Sequence, residues 1–200
     1  MPPESPSPST PPDIRVEPLP YEVRLEPREL AQVDLVVIHC TELPDLATAR
    51  EYGERVLYEV RADGGGGTGN SGHFYIDRDG SVHRWVGLDR VAHHVRGYNA
   101  RSVGIELVNT GRYPDWLDSR RQAMDEPYSE AQMVALVALL RQLQAGLPSL
   151  RWIAGHEDLD TIEVAASDDA SRQVRRKRDP GPRFPWARVL AAVDLQRLPV

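Results

Sequence analysis

Two apolar runs that each end in a histidine constrain this chain more than any other feature. Residues 33–38 lead into His39, and residues 150–155 lead into His156. Apolar stretches of this length read as buried strands, so two strands would each deliver an imidazole to one end of a sheet. The segment Lys177-Arg178-Asp179-Pro180-Gly181-Pro182 supplies a carboxylate to go with them. Two His and one Asp are ligands that borderline-soft zinc accepts, and three ligands leave a fourth position open, as in catalytic sites. Zn²⁺ on His39, His156 and Asp179 is therefore the expected cofactor.

Lysine usage adds to this reading. Lys177 is the single lysine among 24 basic residues. In so Arg-rich a background an ammonium two residues before the Asp points to a specific need, because a compact point charge and a guanidinium fork are not interchangeable. The alternative is an ordinary solvated loop residue.

Two hundred residues with 40% hydrophobic content suit one globular domain with a tail. A net charge of −6 argues against general nucleic-acid binding, which needs a basic face. The lone Cys40 excludes an internal disulfide; next to His39 it should point to the opposite side of the strand as a small buried residue. No window approaches the ~18 apolar residues of a membrane span. The first twelve residues are half proline, so residues 1–20 are expected to form an extended, mobile lead, and residues 21–32 an arm or edge strand. No basic segment followed by an apolar core opens the chain, which favours a cytoplasmic protein. Periplasmic or secreted locations, if a signal was trimmed, and a phage lysin are the alternatives. A monomer is expected.

The remainder alternates strands and helices. Residues 45–59 carry apolar residues near helical spacing. The glycine-rich stretch 63–70 reads as a flexible loop, matching neither a phosphate-binding loop nor a dinucleotide fingerprint. Residues 74–77 and 81–86 flank Arg78-Asp79-Gly80 as a hairpin, and 103–108 is a further strand. Ser129 and Gln132 form a capping box before the apolar stripe Met133, Leu136, Val137, Leu140 and Leu143. Residues 185–195 read as a last helix. The order β-α-β-β-β-α-β-α predicts an α/β domain, a central mixed sheet with helices on both faces.

Glu106 stands out within that scheme. In an interior strand an unpaired carboxylate costs several kcal/mol when buried, so it should face water, a cation or a site. One reading is an exposed edge-strand face. The other makes Glu106 a general base beside a metal-activated water.

Six strings, in order, carry a resemblance: Val37-Ile38-His39-Cys40-Thr41; Gly72-His73-Phe74 through Asp79-Gly80; Ala92-His93-His94; Val103-Gly104-Ile105-Glu106-Leu107-Val108; Ala154-Gly155-His156-Glu157; and Lys177 through Pro182. Together they resemble the zinc-dependent N-acetylmuramoyl-L-alanine amidases of the type-2 amidase and peptidoglycan-recognition-protein superfamily. The resemblance implies that residues 33–195 are an amidase domain followed by a tail, 196–200. It implies that His39, His156 and Asp179 hold Zn²⁺, with Asp in place of the cysteine usual in peptidoglycan recognition proteins, as in bacterial cell-wall-recycling amidases. Glu106 would activate water and Lys177 would lie near the developing oxyanion. His94 matches the histidine of an Ala-aromatic-His string, in which His93 replaces the aromatic.

The implied reaction is hydrolysis of the amide between N-acetylmuramic acid, or its anhydro form, and L-alanine of a stem peptide, with peptidoglycan fragments or muropeptides as partners. His94, Arg96, Asn109 and His73 are candidate substrate contacts, His73 also near the metal position. His83 is expected to be exposed. Residues 161–175 form a polar insertion expected to border the cleft. The alternative function is a non-catalytic peptidoglycan-binding module.

Overall fold

Residues 35–40 are entirely buried and form the strand β2 (Leu35–Cys40). A continuous apolar run suits a strand covered on both faces. The computed structural model describes residues 12–60 and 65–200. Most of the expected Pro-rich lead, residues 1–11, and residues 63 and 64 of the glycine-rich loop lie outside the described residues.

Around β2 the chain forms β1 (Ile14–Val16), α1 (Leu46–Glu54), the hairpin β3 (Phe74–Ile76) and β4 (Val82–Arg84), β5 (Ser102–Leu107), and α2 (Glu130–Gly146). Then follow β6 (Trp152–Gly155), the single turn α3 (His156–Leu159), β7 (Glu163–Ala165), β8 (Gln173–Arg175), α4 (Trp186–Ala192) and β9 (Gln196–Arg197). Among the described residues, seven strands share one sheet in the order β1-β4-β3-β5-β2-β6-β9. β4 runs antiparallel to β3, whereas β3, β5, β2, β6 and β9 are mutually parallel, so the sheet is mixed as the sequence predicts.

Alternation along the strands assigns the two faces. Val36, Ile38, Phe74, Ile76, Val103, Ile105 and Leu107 share one cluster with Met133, Leu136, Leu139, Leu140 and Leu143 of α2 and Val189 of α4. The predicted capping box is present: Ser129 Oγ accepts from Gln132 N at 3.0 Å, and Gln132 Oε1 accepts from Ser129 N at 3.1 Å. Gln132 Nε2 also donates to the carbonyls of Ile76 and Val108, tying the start of α2 to the sheet. On the opposite face Tyr75 joins Ala49 of α1, Leu19, Tyr21 and Trp85 in a second cluster.

Several boundaries differ from the sequence expectation. The stretch 12–20 is not a free lead: β1 pairs with β4, and Leu19 is buried against Gly53 and Trp85. The five residues between Pro12 and Pro18 are enough for a three-residue edge strand, where a proline needs no ladder partner. The 196–200 tail likewise begins as β9, pairing with β6. The expected helix 45–59 stops at Glu54, because Leu57 and Tyr58 both donate their backbone N–H to the Thr68 carbonyl. Those apolar residues brace the described part of the glycine-rich loop rather than continuing the helix. The last helix covers Trp186–Ala192 rather than 185–195. No helix among the described residues is long and apolar enough to cross a membrane.

Candidate active site

Parallel register brings the polar residues to one end of the sheet. His39, the penultimate residue of β2, pairs with Glu106 of β5, and Glu106 pairs in turn with Tyr75 of β3. Ile38 pairs with Gly155, so His156 emerges beside His39 as the first residue of α3. The carboxyl ends of parallel strands are where open α/β sheets place ligands.

Asp179 arrives from a loop held at three points. Its carbonyl accepts from Glu157 N at 2.9 Å, Tyr128 Oη donates to Pro180 O at 2.7 Å, and Pro180 lies so close to Gly155 that a Cβ there would meet its Cδ at 2.8 Å. Asp179 Oδ2 is then 2.8 Å from His39 Nδ1 and 3.1 Å from His156 Nδ1. One donor atom from each of the three buried residues lies within 4.8 Å of the others. Asp179 Oδ1 is buried with no hydrogen-bond partner among the described residues. Two imidazoles, a carboxylate and an orphaned buried oxygen fit a divalent cation such as zinc.

The electrostatics agree with that fit. Burial drives the His39 pKa down to about 4, against the pull of Asp179, so the ring is neutral and able to ligate. Burial would raise Asp179, but His156 and His39 outweigh it and hold the carboxyl well below its usual range. Glu106 Oε1 lies 3.9 Å from His39 Nδ1, with 15% of its side chain exposed. Burial first, then the Asp179 charge, pushes its pKa up to about 8, with Lys177 opposing. A carboxylic acid poised near neutrality can both take and give a proton.

These groups line a cleft of about 1480 Å³ together with Lys177, His94 and Arg96. His94 Nδ1 lies 3.0 Å from His39 Nε2 and its Nε2 lies 3.1 Å from Ser102 Oγ. Burial lowers the His94 pKa well below its ordinary value.

Two expected substrate contacts do not line this cleft. His73 is fully buried, with Nδ1 accepting from Gly104 N at 3.0 Å and Nε2 near the Arg90 carbonyl and the Arg28 guanidinium. It braces the wall behind the site. Asn109 donates to Glu126 O and accepts from Gly111 N, so its amide is used in holding a turn. His83, expected on the surface, is buried and faces Glu17 Oε2 at 2.9 Å, because β1 and the residue after it cover that edge. The insertion 161–175 folds into the β7–β8 hairpin and lines a separate depression with Ser119 and Gln122, not the main cleft. Its strands pair with each other, and Ala166 and Ser167 bond backbone carbonyls away from the site.

A feature that sequence reasoning missed stands beside Lys177. Arg112 is buried and grips Glu42 through Nε at 2.6 Å and Nη2 at 2.8 Å. It also donates to the carbonyls of Arg175 at 2.9 Å and Arg176 at 3.2 Å, the two residues before Lys177. Arg176 in turn pairs with Asp160. Nothing local marks either partner; Glu42 and Arg112 are 70 positions apart, and only the fold joins them.

Two imidazoles and a carboxylate at the floor of a cleft, beside a second carboxyl group and an ammonium, are a donor set that could hold a divalent metal. The chain belongs to the N-acetylmuramoyl-L-alanine amidase family, whose profile matches residues 29–182. It is 33% identical over 134 residues to the 1,6-anhydro-N-acetylmuramyl-L-alanine amidase AmpD of Salmonella typhimurium strain SL1344, covering 62% of this chain and 58% of that protein. It is 34% identical over 85 residues to the endolysin of Enterobacteria phage K11, covering 42% of this chain and 52% of that protein. The chain thus spans little more than half the length of these curated relatives. In fold it is similar to the N-acetylmuramoyl-L-alanine amidase LysC from Clostridium intestinale URNW, with a TM-score of 0.62 at 22% identity over 92% of this chain and 99% of that one.

Proposed function

We propose that this chain hydrolyses the amide joining the lactyl group of N-acetylmuramic acid, or its anhydro form, to L-alanine, with Zn²⁺ held by His39, His156 and Asp179. The observation that carries the reading is the convergence of those three donors, with an unpartnered Asp179 oxygen, beside the Glu106 carboxyl 3.9 Å from His39 Nδ1. The name of the AmpD relative supports the substrate class. Bound zinc would supply Lewis-acid polarisation of the scissile carbonyl and acidify a water.

Glu106 takes a proton from the attacking water as its oxygen bonds to the carbonyl carbon. It then delivers that proton to the leaving amine as the C–N bond breaks, giving a carboxylic acid, which ionises by losing the second water proton to solvent, and a free L-alanine amino group. With a cation held by His39, His156 and Asp179, the Glu106 pKa would lie below its ion-free position, which would keep the base form available. Lys177 stabilises the tetrahedral oxyanion, an interaction worth roughly 3 to 4 kcal/mol when one donor is removed. Arg112 holds the backbone that delivers Lys177, and His94 and Arg96 are the two substrate contacts of the sequence reading that line the cleft.

The test is chromatographic release of the L-alanine-headed peptide from a soluble anhydro-muropeptide and from intact peptidoglycan. Zinc-loaded protein should cleave at least one of them, chelator should abolish cleavage, and Glu106→Gln should keep zinc while losing about 10²- to 10⁴-fold in turnover. Undiminished turnover in that variant removes Glu106 from the mechanism. Muropeptide binding without cleavage by the zinc-loaded wild type would replace the enzyme with a recognition module.

A further inference from the structure

We propose that His94 and Ser102 are positioning residues: a directional chain of hydrogen bonds from the Tyr98 carbonyl through Ser102 and His94 fixes which nitrogen of His39 is presented to the metal. The inference rests on the reading of His39 as a ligand. It moves His94 out of the substrate-contact role that its sequence position suggests.

The argument is one of proton bookkeeping. A neutral imidazole carries one N–H and one lone pair. His39 turns Nδ1 toward Asp179 and Nε2 toward His94 Nδ1, at 2.8 and 3.0 Å. For Nδ1 to offer its lone pair, the His39 proton must sit on Nε2 and be donated. His94 Nδ1 receives it only if the His94 proton is on Nε2. That nitrogen is 3.1 Å from Ser102 Oγ, whose own single hydrogen is spent on the Tyr98 carbonyl at 2.8 Å. A carbonyl never donates. The direction of each bond is therefore set from the backbone end: Ser102 gives to Tyr98, His94 gives to Ser102, and His39 gives to His94.

This direction opposes a competing pull. In the absence of an ion, Asp179 Oδ2 favours a proton on His39 Nδ1, the tautomer that cannot ligate through that nitrogen. The chain favours the proton on Nε2 and so biases the ring toward the form ready for metal. Metal-binding histidines commonly donate their second nitrogen to a carboxylate or carbonyl. Here the acceptor is another imidazole, which has to be oriented itself.

The backbone around His94 is built to orient it. Asn99 Oδ1 accepts from both His94 N, at 3.0 Å, and Val95 N, at 2.7 Å, fixing the turn. Gly104 lies mid-strand in β5, where glycine weakens a sheet, and a Cβ there would lie 2.7 Å from His94 Cγ and Nδ1. Gly104 makes room for the ring to lie against the strand. Arg28 Nη1 donates to the Ser102 carbonyl at 2.7 Å, anchoring the next link.

Three variants test this: His94→Ala removes the acceptor, Ser102→Ala removes its orienting partner, and His94→Asn keeps an acceptor oxygen close to where Nδ1 lies. Zinc affinity is read by competition with a chromogenic chelator, and tautomers by long-range ¹H–¹⁵N spectra of the zinc-loaded wild type. We expect affinity to fall about 10- to 100-fold in His94→Ala, less in Ser102→Ala, and by no more than about threefold in His94→Asn, on the same principle. In the wild type both His39 and His94 should carry their protons on Nε2. Wild-type affinity in His94→Ala, equal losses in the Ala and Asn variants, or a proton on His94 Nδ1 would each overturn the proposal; equal losses would reveal simple packing. Tight zinc binding without amidase turnover would sink the proposed activity while leaving this inference standing. A wild type that binds no zinc overturns both.

Discussion

The two faces of the central sheet use the same strands for different ends. Toward α2, β2 and β5 present Val36, Ile38, Val103, Ile105 and Leu107, all buried in one hydrocarbon cluster. The other face begins alike, with Leu35 and Val37 in a small apolar cluster, and ends in His39 and Glu106. Burial is similar on both sides at β2, but its cost is not. A buried methyl group needs only close neighbours, whereas a buried imidazole or carboxyl needs a partner for each polar atom. The cleft face meets that need with Asp179, His94, Ser102 and, for the adjoining wall, Arg28 with His73. Stability should therefore depend mainly on the α2 face, and metal binding almost wholly on the carboxyl end of the other.

The largest effect that would separate the faces is Asp179→Asn, which keeps the side-chain shape. Zinc binding and zinc-dependent cleavage should both disappear, checked by metal analysis after gel filtration and by peptide release. Retention of stoichiometric zinc would place the metal elsewhere and dissolve the contrast.

Arg112→Met is aimed at the exception on the cleft side. It leaves Glu42 buried and uncompensated, a change that costs about 3 to 5 kcal/mol in unfolding free energy. It should also lower turnover, because the Arg175 and Arg176 carbonyls lose their donor just before Lys177. Urea unfolding and kcat measured together check this; a stability loss below about 1 kcal/mol would mean the pair is far better solvated than its burial implies.

Leu136→Ala sits wholly on the α2 face and is fully buried. The expected loss is about 2 to 5 kcal/mol from transfer and cavity effects, with zinc affinity of the folded protein unchanged. Weaker zinc binding in this variant would show that the two faces are mechanically coupled.

The smallest effect concerns pH. Burial, with the Arg28 charge adding to it, lowers the His73 pKa to about 3, and the ring also faces the Arg90 carbonyl and the His94 ring. Its folded pKa lies below the unfolded value of about 6.5, so the unfolded chain takes up the proton first. The stabilising contribution is complete above about pH 6.5 and is lost as pH falls toward 3, by up to roughly 1.4 kcal/mol per pH unit. His73→Gln should flatten that slope in unfolding titrations between pH 7 and 5. Parallel slopes for wild type and variant would mean that His73 is not the group responsible.

Elements written by neighbours in the chain were legible in the sequence. The capping box of α2 at Ser129 and Gln132, the β3–β4 hairpin with Gly80 at φ 85°, and the apolar strands ending in His39 and His156 all depend on residues a few positions apart. Their type follows from local geometry and periodicity. Other features escaped that logic. The apolar residues Val56 and Leu57 look helical by spacing yet are exposed, because pairing with Thr68 outweighs propensity. The rings of His73 and His94 pack 5.7 Å apart, yet one is sealed in the wall and the other lines the cleft.

By itself, then, the sequence determined the central strands and the helix α2, and which residue types were available for a metal, a base and a cation. Tertiary structure decided what those residues touch. The strand order that sets β5 between β3 and β2 puts Glu106 opposite His39, and a loop 140 positions away brings in Asp179. The Glu42–Arg112 grip and the chain through His94 and Ser102 arise in the same way. Local pattern constrains dihedral angles over a few residues, whereas the partner of a buried polar atom is chosen only when distant segments close around it.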